Sequence, residues 1–235
     1  MKLSVLIPVF NEAARIVPTL EVVFAYMDRH HPGFEVLVVD DGSTDHTVAL
    51  VQQRFGQRAE LRVVSYAGNR GKGYAVRFGG THAAGDAVLM TDADLSTPID
   101  ELEKMLPLLG QGYDLVIGSR ALAQSEIRQR QPFYREGGGK LFNLLVRLAV
   151  LPDFHDTQCG FKLFRREALL PVLRQQRIDG FAFDVEMIAL ALRRGLRVAE
   201  VPVVWINSPT TRVRFSAAVR AFADLARMRG KRLST

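Results

Sequence analysis

Apolar residues fall in two alternating rhythms along this chain. Leu3 to Val9 and Phe34 to Val39 are short, nearly unbroken apolar runs of the kind that fill a buried strand. Between them Ile16, Leu20, Val23, Phe24 and Met27 recur at helical spacing, which predicts a strand, helix, strand unit. Leu61 to Ser65, Ala87 to Met90 and Leu115 to Ile117 repeat the strand signal, with helices predicted near 44–55, 73–84 and 99–109. This alternation predicts an α/β domain with a mostly parallel sheet covered by helices on both faces. In such sheets ligands sit beyond the carboxyl ends of the strands, so the residues that follow each strand are the ones to inspect.

After Arg120 the rhythm loosens. A polar stretch runs to Arg135, then come Gly137-Gly138-Gly139, an apolar helix predicted over 140–150, a loop with Asp153 to Gln158, and a strand at Phe161 to Phe164. Helices near 167–176 and 184–194 and a strand near 197–204 follow. The end of the chain reads as an amphipathic helix, with Phe215, Val219, Phe222 and Ala226 on one face and Arg220, Asp224, Arg227 and Lys231 on the other. The domain is expected to span 1–215, with a first half to about 118 and an elaboration over 119–215, followed by a basic helix and tail at 216–235.

The length of 235 residues suits one such domain, and 48% hydrophobic with 24% charged residues is ordinary globular composition. Cys159 is the only cysteine, which excludes an internal disulfide and favours a reducing compartment. The first residues turn polar by Asn11-Glu12, too early for a signal-peptide core, and the longest run without a charge, Val201 to Thr211, is far short of the roughly 20 apolar residues a spanning helix needs. The expected location is therefore cytoplasmic.

Net charge is +6, and two segments carry it: seven Lys/Arg against Asp224 from Arg212 onward, and six against Glu126 and Glu136 from Arg120 to Arg147. Such patches attract phosphates, whether of nucleic acid, anionic lipid or a small substrate. A nucleic-acid module is disfavoured, because the tail interleaves only Phe215 and Phe222 as aromatic platforms and that reading leaves the acidic strand ends without a task. No nucleic-acid partner is expected.

Those strand ends read Pro8-Val9-Phe10-Asn11-Glu12, Asp40-Asp41-Gly42-Ser43, Asn69-Arg70-Gly71-Lys72-Gly73 and Thr91-Asp92-Ala93-Asp94. Ser43 is expected to cap a helix. Asp92 and Asp94 lie two apart, so continued extension past the strand would send both carboxylates to one side. Paired hard oxygens there suit Mg²⁺ or Mn²⁺, which complete their shell with water and substrate phosphates. The glycine spacing around Lys72 does not match a P-loop, and the first turn lacks a dinucleotide fingerprint, but Gly71 and Gly73 still let backbone approach a ligand beside a lysine.

Taken in order, these four motifs resemble those of inverting family 2 glycosyltransferases with the GT-A fold. Gly118-Ser119-Arg120, Asp156-Thr157-Gln158-Cys159-Gly160-Phe161-Lys162 and Phe183-Asp184-x-Glu186 narrow the likeness to the polyprenyl-phosphate sugar synthases. Asp94-Leu95-Ser96-Thr97-Pro98 and Thr157 to Lys162 are most similar to dolichyl-phosphate β-glucosyltransferases, and the likeness covers residues 3 to 215.

The resemblance implies a Rossmann-like nucleotide-binding sheet, with Pro8, Phe10, Asn11, Glu12 and Asp40 around the nucleoside, Gly71 and Lys72 close by, and Asp92-Ala93-Asp94 at a metal-bound diphosphate. It implies transfer of a sugar, glucose from UDP-glucose foremost, to a polyprenyl phosphate at the cytoplasmic face of a membrane. Mannose from GDP-mannose and a non-lipid acceptor are the alternatives. Arg120 is the first candidate for the acceptor phosphate, with Arg135, Arg212 and Arg214 next, because a guanidinium fork matches phosphate. Asp156 and Gln158 are candidates for sugar hydroxyls or for orienting the attack, whereas Asp184 and Glu186 open a helix where acids are favoured by the dipole alone. The pattern lacks the eukaryotic members' N-terminal anchor and the spanning helices of many bacterial members, so membrane attachment needs another device: the apolar helix near 141–148 and the basic terminal helix either pack into the core or both rest in the lipid interface.

Overall fold

A computed structural model describes residues 1–129 and 133–207 and positions 221, 223–225 and 228, apart from the side chains at 133–136 and 140. The first part alternates as predicted: β1 (Leu3–Val9), α1 (Ile16–His30), β2 (Glu35–Asp40), α2 (Thr47–Phe55), β3 (Leu61–Ser65), α3 (Lys72–His82) and β4 (Ala87–Met90). A short 3-10 turn (Ile99–Glu101) then leads into α4 (Leu102–Gly110) and β5 (Leu115–Ser119). The rest comprises β6 (Glu126–Gln129), α5 (Phe133–Ala149), β7 (Lys162–Arg165), α6 (Arg166–Gln175), α7 (Phe183–Arg193), β8 (Val198–Pro202) and β9 (Val204–Ile206).

Seven strands form one sheet in the order β3-β2-β1-β4-β7-β5-β8, and β6 pairs with β9 in a separate ribbon. Successive side chains of a strand go to opposite faces, and here both faces are covered. Val5, Ile7, Val36 and Val38 pack with Leu20, Phe24 and Leu102 on one side. Leu6, Leu37 and Val39 pack with Val76, Leu173 and Ile188 on the other. Each such buried aliphatic side chain contributes about 1.5–3 kcal/mol, which is why the strands read as continuous apolar runs. β1 has β2 on one side and β4 on the other, both parallel to it. The loops after β1 and β4 leave the sheet edge at this switch point, and the crevice between them is where the acidic motifs collect.

The later part departs from the sequence expectation in four places. β7 runs antiparallel between β4 and β5. α5 starts at Phe133 rather than near 140; the three glycines cost about 1 kcal/mol each in a helix, and packing of Phe142 and Val146 into the core outweighs them. The strand expected over 197–204 is two strands, because Pro202 has no N–H to continue the ladder and Val203 donates to Ser119 O before β9 turns to β6. β6 itself lies in a stretch read as merely polar. In the terminal segment Ala221 and Leu225 pack into the core, while Phe215, Val219, Phe222 and Ala226 lie outside the described residues.

Candidate active site

Backbone donors of one strand-end loop are satisfied by side chains of the next. Asn11 holds a left-handed φ of 55°, and its carbonyl oxygen accepts the N–H groups of Thr44 (2.8 Å) and Asp45 (3.2 Å). Its own N–H donates to Ser43 Oγ at 2.9 Å. Ser43 therefore ties two loops together instead of capping α2, whose first turn takes Asp45 Oδ1 on the N–H of Thr47 at 2.9 Å. Asp40, 5% exposed at the end of β2, accepts the Ser43 N–H at 3.0 Å. Pro8 pairs with Val39 in the sheet below it, and Phe10 is exposed at the rim.

Asp41 organises the lysine loop. Its carboxylate accepts Tyr66 Oη–H (2.9 Å), Arg70 N–H (2.7 Å) and Gly71 N–H (2.9 Å). Burial pushes this carboxyl up despite the three donors. Gly71 sits at φ 105°, and a Cβ there would lie 2.4 Å from Asp179 O, so only glycine fits. Lys72 thereby becomes the first residue of α3 with its side chain directed at the strand end opposite.

The strand carrying the acid pair ends at Met90, and the chain then turns, with Leu95 N–H donating to Asp92 O at 3.1 Å. Strand alternation past Met90 is thus not what orients the two acids; a turn pinned by Thr19 Oγ1 on Ala93 O (2.6 Å) does so. Asp92 Oδ1 is 2.5 Å from Lys72 Nζ. Asp94 accepts Ser96 N–H at 3.0 Å and faces Arg15 Nη1 at 3.8 Å, and Arg15 also pairs with Glu12 at 2.5 Å. Both acids act on one cation: burial disfavours the Lys72 ammonium, but Asp92, Asp184 and Asp94 together hold its pKa above the usual value. Burial likewise opposes the Asp92 carboxylate, and Lys72, Lys162 and Arg120 still keep it low.

Among the described residues no group of three or more His, Cys, Asp or Glu is arranged to hold a metal ion. Asp92 and Asp94 alone offer hard oxygens, at a spot where a carboxylate already faces a cation, and that donor set fits an ion that takes its remaining ligands from water and phosphate. A crevice of about 10 Å³ beside Asp92 is lined by Thr97, Gly160 and Trp205. A larger cavity, about 260 Å³ between α7 and the 177–179 loop, includes none of the acidic strand ends.

Ion pairs build the other wall. Arg120 follows β5 and grips Asp156 with both arms of its guanidinium, at 2.6 and 2.9 Å, and with its N–H at 3.0 Å. Asp156 is 1% exposed. Burial alone would raise its carboxyl, but Arg120 brings it down to about 2. Glu200 suspends this loop by accepting the N–H groups of His155 (3.0 Å) and Asp156 (2.8 Å). Gln158 donates to Phe181 O at 3.0 Å, tying the same loop to the start of α7. Glu186 accepts the N–H groups of Arg177 and Ile178 at 2.9 and 2.7 Å. Asp184 pairs with the fully buried Lys162 at 2.6 Å.

Of the residues singled out in the sequence, Lys72 and Asp92 meet directly, Asp94 acts on Lys72 only through its field and is joined to Glu12 through Arg15, and Arg120 and Asp156 form a separate pair. Arg212 and Arg214 lie outside the described residues, as does the side chain of Arg135. Arg15 and Glu200 were not anticipated, and Asp41 and Lys162 stood in the quoted motifs without an assigned role. Lys162 carried a signal, since it stands between Phe161 and Leu163 in a buried strand, where a charge survives only with a partner.

The model of the glycosyl transferase family 2 matches residues 4–172. A dolichyl-phosphate beta-glucosyltransferase of Trichomonas vaginalis is 36% identical over 234 residues, 94% of this chain and 69% of that protein. The human dolichyl-phosphate beta-glucosyltransferase is 34% identical over 218 residues, 87% of this chain and 67% of its own length. Among solved structures, a Pyrobaculum calidifontis mannosyltransferase in complex with GDP-Man and Mn²⁺ is 25% identical with TM-score 0.66, covering 96% of this chain and 64% of that one. Glucosyl-3-phosphoglycerate synthase of Mycobacterium tuberculosis in complex with Mn²⁺ and UDP-glucose shares the fold at TM-score 0.71 and 24% identity, covering 97% and 78%. With its strand-end acids, its mostly parallel sheet and a family match over most of its length, this chain belongs to glycosyl transferase family 2 and is a glycosyltransferase of GT-A fold.

Proposed function

We propose that this chain transfers glucose from UDP-glucose to a dolichyl-type polyprenyl phosphate, with inversion, at the cytoplasmic face of a membrane. The observation that carries the reading is the pairing of Lys72 with Asp92, in the field of Asp94, at the switch point of the sheet, where a nucleotide diphosphate would dock. The names of the relatives that match nearly the whole chain supply the sugar and the acceptor. The bound molecule of one structural neighbour supplies the donor.

In this reaction an oxygen of the acceptor phosphate bonds to the anomeric carbon while the bond from that carbon to the UDP oxygen breaks on the opposite side. A phosphate monoester has a second pKa near ~6, so the nucleophile is already ionised at neutral pH and no strong base is needed. The protein's task is to hold two anions in line. Pro8, Phe10, Asn11, Glu12 and Asp40 border the nucleoside, and Lys72, with the Gly71 backbone, faces the departing diphosphate. Asp92 and Asp94 would hold Mg²⁺ or Mn²⁺, which supplies charge neutralisation at the diphosphate when bound. Arg120, oriented by Asp156, meets the acceptor phosphate from the other wall; Arg135, Arg212 and Arg214 are further candidates for it. Gln158 keeps the Phe181 segment against this wall.

The lipid acceptor calls for a surface that rests on a bilayer. Among the described residues no helix is long and apolar enough to cross one. α5 instead exposes Leu141, Leu144 and Leu148, at 53%, 50% and 74%, on a single stripe at the end of the basic segment 120–147.

The deciding experiment offers the purified chain UDP-glucose, other UDP-sugars and GDP-mannose, each with polyprenyl phosphate, with and without chelator. Glucose transfer from UDP-glucose that chelator abolishes is the expected result. Transfer from GDP-mannose alone would move the chain to mannosyl chemistry, and transfer only to non-lipid acceptors would remove the membrane from the reading.

A further inference from the structure

The Lys162–Asp184 pair is buried more deeply than any other ion pair among the described residues, with side chains 0% and 5% exposed. Its direct bonds go to none of Lys72, Asp92 and Asp94, although its charges act on the first two. A buried ion pair is a poor source of stability, because desolvating two charges offsets most of their attraction, and well-packed apolar residues of the same volume do as well or better. Its place in the fold suggests another role. Lys162 is the first residue of β7, paired with Met90 on one side and Ile117 on the other, two positions below Asp92. Its ammonium has two partners.

One partner is Cys159 O, within the same turn. That bond fixes the Cys159–Gly160 peptide, and Gly160 lies so close to Asp92 that a Cβ there would stand 2.1 Å from Asp92 Oδ2. The other is Asp184 Oδ1, in the first turn of α7. The residue before it, Phe183, turns its ring toward the Lys72 ammonium at 5.9 Å, and a Cβ at Gly73 would lie 2.6 Å from Phe183 Cβ. One ammonium thus holds the backbone behind Asp92 with one bond and the helix behind Lys72 with the other. The charges alternate through the site as Lys72, Asp92, Lys162 and Asp184, each carboxylate lying in the field of both lysines.

We infer that Lys162 and Asp184 are positioning residues, which hold Asp92 and Lys72 in mutual register for the donor diphosphate. The inference rests on the proposed reading of Asp92 and Lys72 as donor-binding groups. A pair that only supported the fold would be replaceable by apolar side chains, whereas one that sets the site would not.

Three full-length variants test it: Lys162→Met, Asp184→Asn and the double variant Lys162→Met/Asp184→Leu. Thermal unfolding and kcat at saturating nucleotide sugar are measured for each. The single Lys162→Met strands a buried carboxylate and is expected to lose both stability and turnover. In the double variant the unfolding midpoint is expected to recover most of that loss, while kcat stays down by about ten- to a hundred-fold, the size of effect that small misplacements of reacting groups produce. Asp184→Asn keeps the shape and an acceptor oxygen for Lys162; it is expected to fold and to lower kcat in the same direction, which keeps the test intact should the double variant not fold. A thermally restored double variant, or a folded Asp184→Asn, with parent-like kcat would overturn the inference and leave the proposed reaction standing. Failure of the parent chain to transfer any sugar would instead remove the reaction, and the inference with it.

Discussion

The two walls of the site keep their polar groups in place by different means. On the wall after β1, β2 and β3, carboxylates and amides are satisfied by main-chain donors: Asp40 by Ser43, Asp41 by Arg70 and Gly71, Asn11 by Thr44 and Asp45. On the wall after β5 and around β7, opposite charges meet: Arg120 with Asp156, Lys162 with Asp184. The first arrangement orients loops proposed to receive a nucleotide, and these main-chain contacts do not depend on any one side-chain cation. The second relies on opposite charges, where a lost partner leaves its mate buried and unpaired. Mutation should therefore be far more damaging on the second wall than on the first.

Within the two walls, Arg120→Met gives the largest expected effect. It removes both guanidinium contacts from a carboxylate that is 1% exposed, and uncompensated burial of this kind costs about 3–5 kcal/mol. Urea unfolding of the variant and parent at neutral pH measures it. A loss under 1 kcal/mol would mean that the N–H groups of Arg120 and Gln158 suffice for Asp156, and the contrast between the walls would be gone.

Acid titration sharpens the same contrast next. Folded, the Asp156 carboxyl titrates at about 2; unfolded, a free aspartate titrates near ~3.9. The folded state thus binds this proton less readily, so the stabilisation is complete above about pH 4 and is lost as the pH falls toward about 2, about 2–3 kcal/mol in all. Burial pushes Asp41 the other way, so its carboxyl opposes this trend, favouring the folded state as the pH falls. Unfolding free energies of the parent and Arg120→Met, compared across pH 2–5, should converge toward the acid end. Parallel curves would contradict the assignment.

Asp41→Asn is the corresponding change on the first wall, and its expected cost is smaller, about 1–3 kcal/mol. The amide keeps one acceptor oxygen and turns an NH₂ group toward a backbone N–H, so one of the contacts to Tyr66, Arg70 and Gly71 is lost without stranding a charge. Protection of the Arg70 and Gly71 amides from hydrogen exchange reads this out locally. Unchanged protection would show that Gly71 holds its conformation without Asp41.

What was legible in the sequence divides along the same line. β1 to β5 repeat one unit, each strand filling both faces of the sheet, so apolar rhythm alone located them and their carboxyl ends located Asp92, Asp94 and Lys72. Beyond Arg120 that rule stops applying. β7 enters antiparallel, Val203 interrupts a strand pattern, and α5 runs through three glycines because Phe142 and Val146 anchor it from one side. These choices are tertiary, made by partners distant in sequence. The pairing of Arg120 with Asp156 was invisible for the same reason: both residues stood out, but their 36-residue separation gave no hint that one holds the other.

The smallest expected effect on stability comes from a face that neither wall uses. α5 turns Phe142 and Val146 inward, at 5% and 0% exposure, and Leu141, Leu144 and Leu148 outward. Phe142→Ala should cost about 3–5 kcal/mol through lost burial and the cavity left behind. Asn substituted at all three leucines should change the unfolding free energy by about 0.5 kcal/mol or less per site, as for other exposed positions. If the outer stripe is the part of the molecule that meets a bilayer, the triple variant will fold like the parent yet sediment less with vesicles containing anionic phospholipid. That difference should shrink with vesicles of phosphatidylcholine alone, where the basic segment has no charge to meet. Equal sedimentation of parent and variant would place the membrane contact elsewhere on the chain and reduce the leucines to ordinary exposed apolar surface.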